Sequence, residues 1–188
     1  MIPSRAAASA LCAAVLAIAC APSSEACIRL PGNGRYCLLA GSWPEYVTEQ
    51  ASTVTLKDKT LRMISRISSG HSGVHFAGLS PLGQTLFQVS WKDSVLHVEP
   101  PTVFENRLDP ALIPALLQIA TWPAELVREG LSGGVELLEQ PGRRIIRGNN
   151  GDILIVSWEG NELPYQRLGF EAPTLNLAID SRLLEALQ

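Results

Sequence analysis

Few residues in this 188-residue chain have the type and spacing that chemistry needs. His71 and His75 are four apart, a spacing that on a helix puts two imidazoles on one face, within reach of one zinc ion. Gly70 and Gly73 place them on a turn and a strand, where four residues span about 13 Å. That is too far for one metal. His97 stands alone. Ser80 lies in Gly78-Leu79-Ser80-Pro81-Leu82-Gly83. A nucleophile elbow needs glycine two places to either side and a strand-turn-helix context. Position 82 is Leu, and a strand follows. No phosphate-binding or dinucleotide fingerprint occurs. Gly130-Leu131-Ser132-Gly133-Gly134 leads into a strand, so no helix terminus follows it to cradle an anion. Arg143, Arg144 and Arg147 cluster beside a turn, which suits a solvated hairpin face or a contact with anionic head groups. No catalytic residue, metal or cofactor is expected, and no enzyme activity. Lys and Arg total 15 against 18 Asp and Glu, a net charge of −3. Nucleic-acid binding, which needs clustered basic residues, is not expected.

The cysteines carry more information. Residues 1–19 hold one charge, Arg5, followed by an apolar run from Ala6 to Ala17 broken only by Ser9. A span of the membrane core takes about 20 apolar residues, so this run reads as a secretory signal. Leu16-Ala17-Ile18-Ala19-Cys20 then looks like a bacterial lipobox, although Ala17 stands where Leu is usual. The alternative is a plain signal peptide cut after Ala-x-Ala. On the lipobox reading Cys20 is acylated and anchors the chain stably. Ala21, in place of Asp, is similar to the signal that sorts Gram-negative lipoproteins to the outer membrane. Cys12 leaves with the signal. Cys27 and Cys37 remain in an oxidising compartment and form a candidate disulfide around the Pro31-Gly32-Asn33-Gly34 turn. The domain plan is a lipoprotein signal peptide at 1–19, an acylated N-terminus and tether at 20–30, and one domain at 31–188.

The elements that position these residues follow from periodicity. From Glu49 the pattern alternates with period two, broken by turn residues at short intervals. Leu61, Met63, Ser65 and Ile67 share one strand face; Phe87, Val89 and Trp91 share another. Strands separated by two to five residues are antiparallel hairpins. Between Asp109 and Gly130 the period changes. Ala111 to Ala120 is apolar except at Pro114 and Gln118, so a helix here must be covered on nearly all sides. Pro114 moves its regular start towards Ile113, after a loose turn. Trp122-Pro123 breaks it, and a shorter helix, Ala124 to Glu129, follows. Strands then resume at Val135–Glu139, Arg143–Arg147, Ile153–Trp158, Leu163–Leu168 and around Leu175–Ile179. The expected fold is mainly β with a helical insert: an unclosed antiparallel barrel of about ten strands, a continuous meander curled by strand twist, with a helical plug on its concave face. Such a shape can open an apolar groove or close over a dry core. Met63, Phe87, Val89, Trp91, Leu116, Leu117 and Trp122 are the candidate cavity residues.

Gly78-Leu79-Ser80-Pro81-Leu82-Gly83 with Leu86-Phe87, Leu116-Leu117-Gln118 with Trp122-Pro123, and Leu175-x-Leu177-x-Ile179 together resemble a family of bacterial outer-membrane lipoproteins of unassigned function, often encoded beside aryl-polyene or fatty-acid synthesis genes. That family is similar to the LolA/LolB group, a periplasmic lipoprotein carrier and its outer-membrane receptor. The resemblance spans roughly Glu49 to Asp180 and leaves Ile28 to Tyr46 unmatched. It implies an unclosed barrel with a helical lid over a hydrophobic cavity. It also implies an outer-membrane lipoprotein, facing the periplasm, that binds or transfers an acyl-type lipid or lipidated cargo. The implied partners are acyl chains, the membrane reached through the anchor, and a periplasmic carrier protein. In the receptor an exposed loop leucine helps deliver cargo; Leu79 and Leu82 fall in the equivalent interval, and the alternative for them is a buried turn. The alternative for the whole chain is a structural or assembly lipoprotein with a dry core that acts through a protein partner.

Overall fold

The computed structural model describes residues 26–31, 33–99 and 109–187. Cys20 and the signal segment lie outside the described residues. The chain opens with two short strands, β1 (Cys27–Arg29) and β2 (Arg35–Cys37), followed by five longer ones: β3 (Tyr46–Leu56), β4 (Lys59–Gly70), β5 (Gly73–Leu79), β6 (Thr85–Lys92) and β7 (Val95–Glu99). Helices α1 (Leu112–Thr121) and α2 (Ala124–Gly130) come next. Then follow β8 (Leu131–Ser132), β9 (Glu136–Gln140), β10 (Arg143–Gly148), β11 (Gly151–Glu159), β12 (Arg167–Ala172) and β13 (Leu177–Leu187).

Ten strands form one antiparallel sheet in the order β7-β6-β5-β4-β3-β13-β12-β11-β10-β9. It is not closed into a barrel: β7 and β9 are its two edges. The expected unclosed sheet with a helical insert is the fold observed. The expected single meander is corrected to two five-stranded meanders, joined where the last strand, β13, pairs with the first, β3. Pairing of β3 with β13 puts two eleven-residue strands at the centre, where each is hydrogen-bonded on both sides. The helical insert must therefore cross from one sheet edge to the other, over the concave face.

A strand expected at Leu163–Leu168 starts instead at Arg167, because residues 160–166 form a loop through Pro164, which has no N–H for a ladder. The expected boundary at residue 31 also moves. Cys27–Arg29 pairs with β2 in register, Cys27 is bonded to Cys37, and Ile28 and Leu30 are buried. The folded domain thus includes the end of the expected tether. With β8, these strands form a second, three-stranded sheet that period-two reading could not register in segments so short.

Helix α1 carries a run of seven buried residues, Pro114 to Ala120. Each buried Leu or Ile contributes about 1.5–3 kcal/mol, so an all-round apolar helix is stable only when enclosed. Pro114 is the third helical residue, where its missing N–H has no intrahelical acceptor to lose. Asp109 Oδ1 accepts the Ala111 N–H at 2.9 Å and steadies the turn before the helix. At the other end Arg144 clamps the break. Its Nη1 donates to Ile119 O at 2.7 Å and Trp122 O at 2.6 Å, while Nε and Nη2 donate to Glu139 at 3.0 and 2.8 Å. Its guanidinium also lies over the Trp158 ring, 5.5 Å from the centroid. A cation among the last carbonyls of a helix complements its dipole. The expected solvated cluster is corrected here: Arg144 is buried, and Arg147 pairs with Asp152 across the hairpin.

Candidate functional site

The space beneath α1 is unequally filled. Towards one end of the sheet the concave face is filled with large buried side chains. Val89 and Trp91 on β6, Trp43 after β2, and Trp122 at the helix break are all buried there. Trp43 and Trp122 meet edge to face at 5.5 Å. Gln118 ties α1 to the segment after β2: Tyr36 OH and Leu39 N–H donate to Gln118 Oε1 at 2.8 and 3.0 Å, and Gln118 Nε2 donates to Leu39 O at 3.0 Å. Burial pushes the Tyr36 hydroxyl well above its ordinary pKa, with Arg144 opposing, so it stays a donor.

Towards the other end a cavity of about 380 Å³ remains, which is within the range of small-molecule sites. Leu112, Ile113, Leu116 and Leu117 roof it from α1. Met63, Ile67, Phe76 and Phe87 form one wall, and Leu168, Phe170 and Ile179 the opposite one. Phe76 and Phe87 stack at 5.7 Å. Gly78 stands opposite Phe87 across the ladder, where a Cβ would come within 2.5 Å of the ring. This glycine therefore belongs to packing, not to a nucleophile turn. The Ser80 hydroxyl accepts the Leu82 and Gln84 N–H groups at 3.3 and 3.1 Å and shapes its own loop.

Four buried polar side chains interrupt the apolar lining: Gln50 and Ser52 on β3, Ser65 on β4 and Ser181 on β13. Ser65 Oγ donates to Ser52 Oγ at 2.8 Å, and Ser52 and Ser181 are bonded at 2.8 Å. Among the described residues, Lys59 and Asp109 are the ionisable ones of the lining, both near the mouth.

The register shows which loops surround that mouth. Leu56 pairs with Lys59 and with Leu177, and Leu79 with Ile64. The turns after β3, β5 and β12 are therefore at one end, and Lys57 N–H donates to Asn176 O at 2.8 Å between two of them. Leu61, Leu82 and Leu175 are exposed at this end, Leu82 by 88%.

The expected cavity residues are thus divided. Met63, Phe87, Leu116 and Leu117 line the cavity. Val89, Trp91 and Trp122 do not. They belong to the packed end, because Val89 and Trp91 point to the same face as Phe87 but sit two and four residues further from the mouth. Leu79 is half-buried in β5, whereas Leu82 stands at the loop tip. Sequence reasoning missed Gln50, Ser52 and Ser181, and placed Arg144 at the surface. The available signal was polar residues at the inward positions of strands. Among the described residues no cluster of three His, Cys, Asp or Glu is placed to hold a metal ion.

A twisted antiparallel half-barrel, with an enclosed helix over an apolar cavity open at one end, defines the class. Residues 47–176 match the family described as protein of unknown function (DUF3261), and the chain belongs to that family. No curated protein matches the chain. The matched span covers the large sheet from β3 to β12, and the helices, and so contains every described wall and roof residue of the cavity except Ile179 and Ser181 on β13.

Proposed function

We propose that this protein is an outer-membrane-anchored lipoprotein that takes an acyl-type lipid, or the acyl chains of lipidated cargo, into the cavity beneath α1. The observation that carries the reading is the hollow itself. An apolar roof and largely apolar walls leave about 380 Å³ next to a region of the same core where Val89, Trp91, Trp43 and Trp122 are buried. Interiors ordinarily pack densely, so a cavity of this size, roofed by four apolar side chains of α1, suits a displaceable apolar guest. The resemblance to the LolA/LolB group supports the same reading. Cys20 supplies the anchor on the periplasmic face, and Leu82 with Leu61 and Leu175 would meet the bilayer at the end where the cavity opens. A periplasmic carrier protein is the natural donor or acceptor of cargo.

The test is displacement of a fluorescent fatty acid from purified protein carrying Cys20→Ser. Leu116→Glu, which puts a charge in the roof, should lower affinity at least tenfold, because an unpaired charge in an apolar site is strongly disfavoured. Leu82→Glu should leave uptake intact and slow transfer to vesicles. A folded Leu116→Glu protein with unchanged binding would remove the helix from the site. Failure of the unsubstituted protein to bind any lipid would favour the structural reading, in which the chain acts through a protein partner.

A further inference from the structure

The four polar residues on the concave wall are out of place in a site for plain hydrocarbon. Ser52 lies four residues in from the rim at Leu56, and Gln50 six, so the group begins about 13 Å inside the mouth and ends about 20 Å inside. Gln50 and Ser65 are opposite each other on β3 and β4, and Ser52 and Ser181 are opposite each other on β3 and β13. All four are at least nine-tenths buried. Their mutual hydrogen bonds do not exhaust them. Three hydroxyls joined by two bonds spend two of three protons, and one O–H donor is left over. The Gln50 amide, only 3% exposed, makes no hydrogen bond among the described residues and faces the cavity. Among the described residues the amide is not one of the fully enclosed polar atoms without a partner, so it is open to the cavity and to whatever fills it. A fold built solely to store hydrocarbon would be better served by Leu at this position.

The charge of the neighbourhood selects what these donors suit. The ionisable lining residues, Lys59 and Asp109, are at the mouth. Among the described residues, no cation lines the wall beside the serines. A carboxylate there would be a buried, unpaired charge. A neutral carbonyl asks only for donors, which Gln50 and the serine chain supply.

We propose that this group is a specificity site, which seats the neutral carbonyl of an acyl ester or amide in preference to unfunctionalised chain. The inference deepens the lipid reading above and rests on it. A monoacylglycerol and an N-acylated peptide enter the experiment as separate competitors: with the seat about 13 to 20 Å inside, an ester with a small head should compete and a bulky peptide head should not.

The experiment is competition against anilinonaphthalenesulfonate bound to the purified full-length protein, with methyl decanoate compared with undecane. The ester should compete roughly five- to tenfold more strongly, the yield of one or two satisfied hydrogen bonds. Gln50→Leu keeps the volume, removes an unpartnered amide, and should erase most of that advantage while undecane competes as before. Ser181→Ala, a smaller change, should reduce it. Equal competition by ester and alkane in the unsubstituted protein would overturn the specificity site while leaving lipid binding in place. So would an ester advantage that survives undiminished in both variants. If neither compound competes, the lipid reading falls and this inference falls with it.

Discussion

Two glutamines are buried in the same core, and their surroundings differ in kind. Gln118 on α1 is 0% exposed, and its amide exchanges three hydrogen bonds with Tyr36 and Leu39. Gln50 on β3 is 3% exposed and makes none among the described residues. The first sits where Trp43, Trp91 and Trp122 fill the space under the helix break, and the second where Leu116 and Leu117 roof a cavity. A satisfied buried amide specifies a unique packing and couples the elements that it bridges. Gln50 instead presents its amide to the cavity, whereas an orphaned polar atom of the packed end, Trp122 Nε1, is fully enclosed. The packed end is the frame that holds α1 across the sheet, and on the proposal above the hollow end is the part that takes a guest.

The largest expected effect separates the two glutamines. Gln118→Leu strands the Tyr36 hydroxyl and both polar groups of the Leu39 backbone, and should cost about 2–4 kcal/mol in denaturant unfolding. Gln50→Leu should cost less than ~0.5 kcal/mol or stabilise the protein slightly. Equal losses would erase the distinction between frame and site. Next in size is the disulfide. Replacing Cys27 and Cys37 together by Ser should cost about 2–3 kcal/mol, by the chain entropy of a short closed loop. Lipid affinity of the folded fraction should not change, since both residues lie outside the cavity. The smallest effect depends on pH. Burial raises the Tyr36 and Tyr46 pKa values, so the folded state favours their neutral forms. Their contribution is intact below pH ~10, the unfolded value, and is lost as pH rises towards the folded values. Unfolding midpoints measured from pH 8 to 11 should fall at the alkaline end. Tyr36→Phe should fall less steeply, with Tyr46 supplying what remains.

The large sheet was legible because most of its hairpins are short and its inward residues alternate with polar ones. The enclosed helix was legible because Ala111 to Ala120 offers no polar face. The β3–β13 pairing was not, since it joins strands more than a hundred residues apart and nothing local in either segment names its partner. The three-residue strands around Cys27 and Cys37 are too short to show a period. Within the site, side-chain type pointed to the right face but not to the right depth. Phe87, Val89 and Trp91 are equivalent by alternation, and only their distance from the mouth divides wall from core. Gln50, Ser52 and Ser181 give no local signal of their place, because a polar residue in a strand ordinarily faces solvent. Arg144 was read as surface for the same reason, although a guanidinium can be buried when carbonyls and a carboxylate receive it.

The central claim is that the hollow end holds a lipid, and native mass spectrometry of the protein carrying Cys20→Ser, released gently from its bacterial host, addresses it most directly. The account predicts a population with one acyl-containing lipid per chain that disappears in Leu116→Glu and persists in the disulfide-free variant. A protein that is folded, empty in every preparation, and still empty after incubation with acyl esters would contradict it.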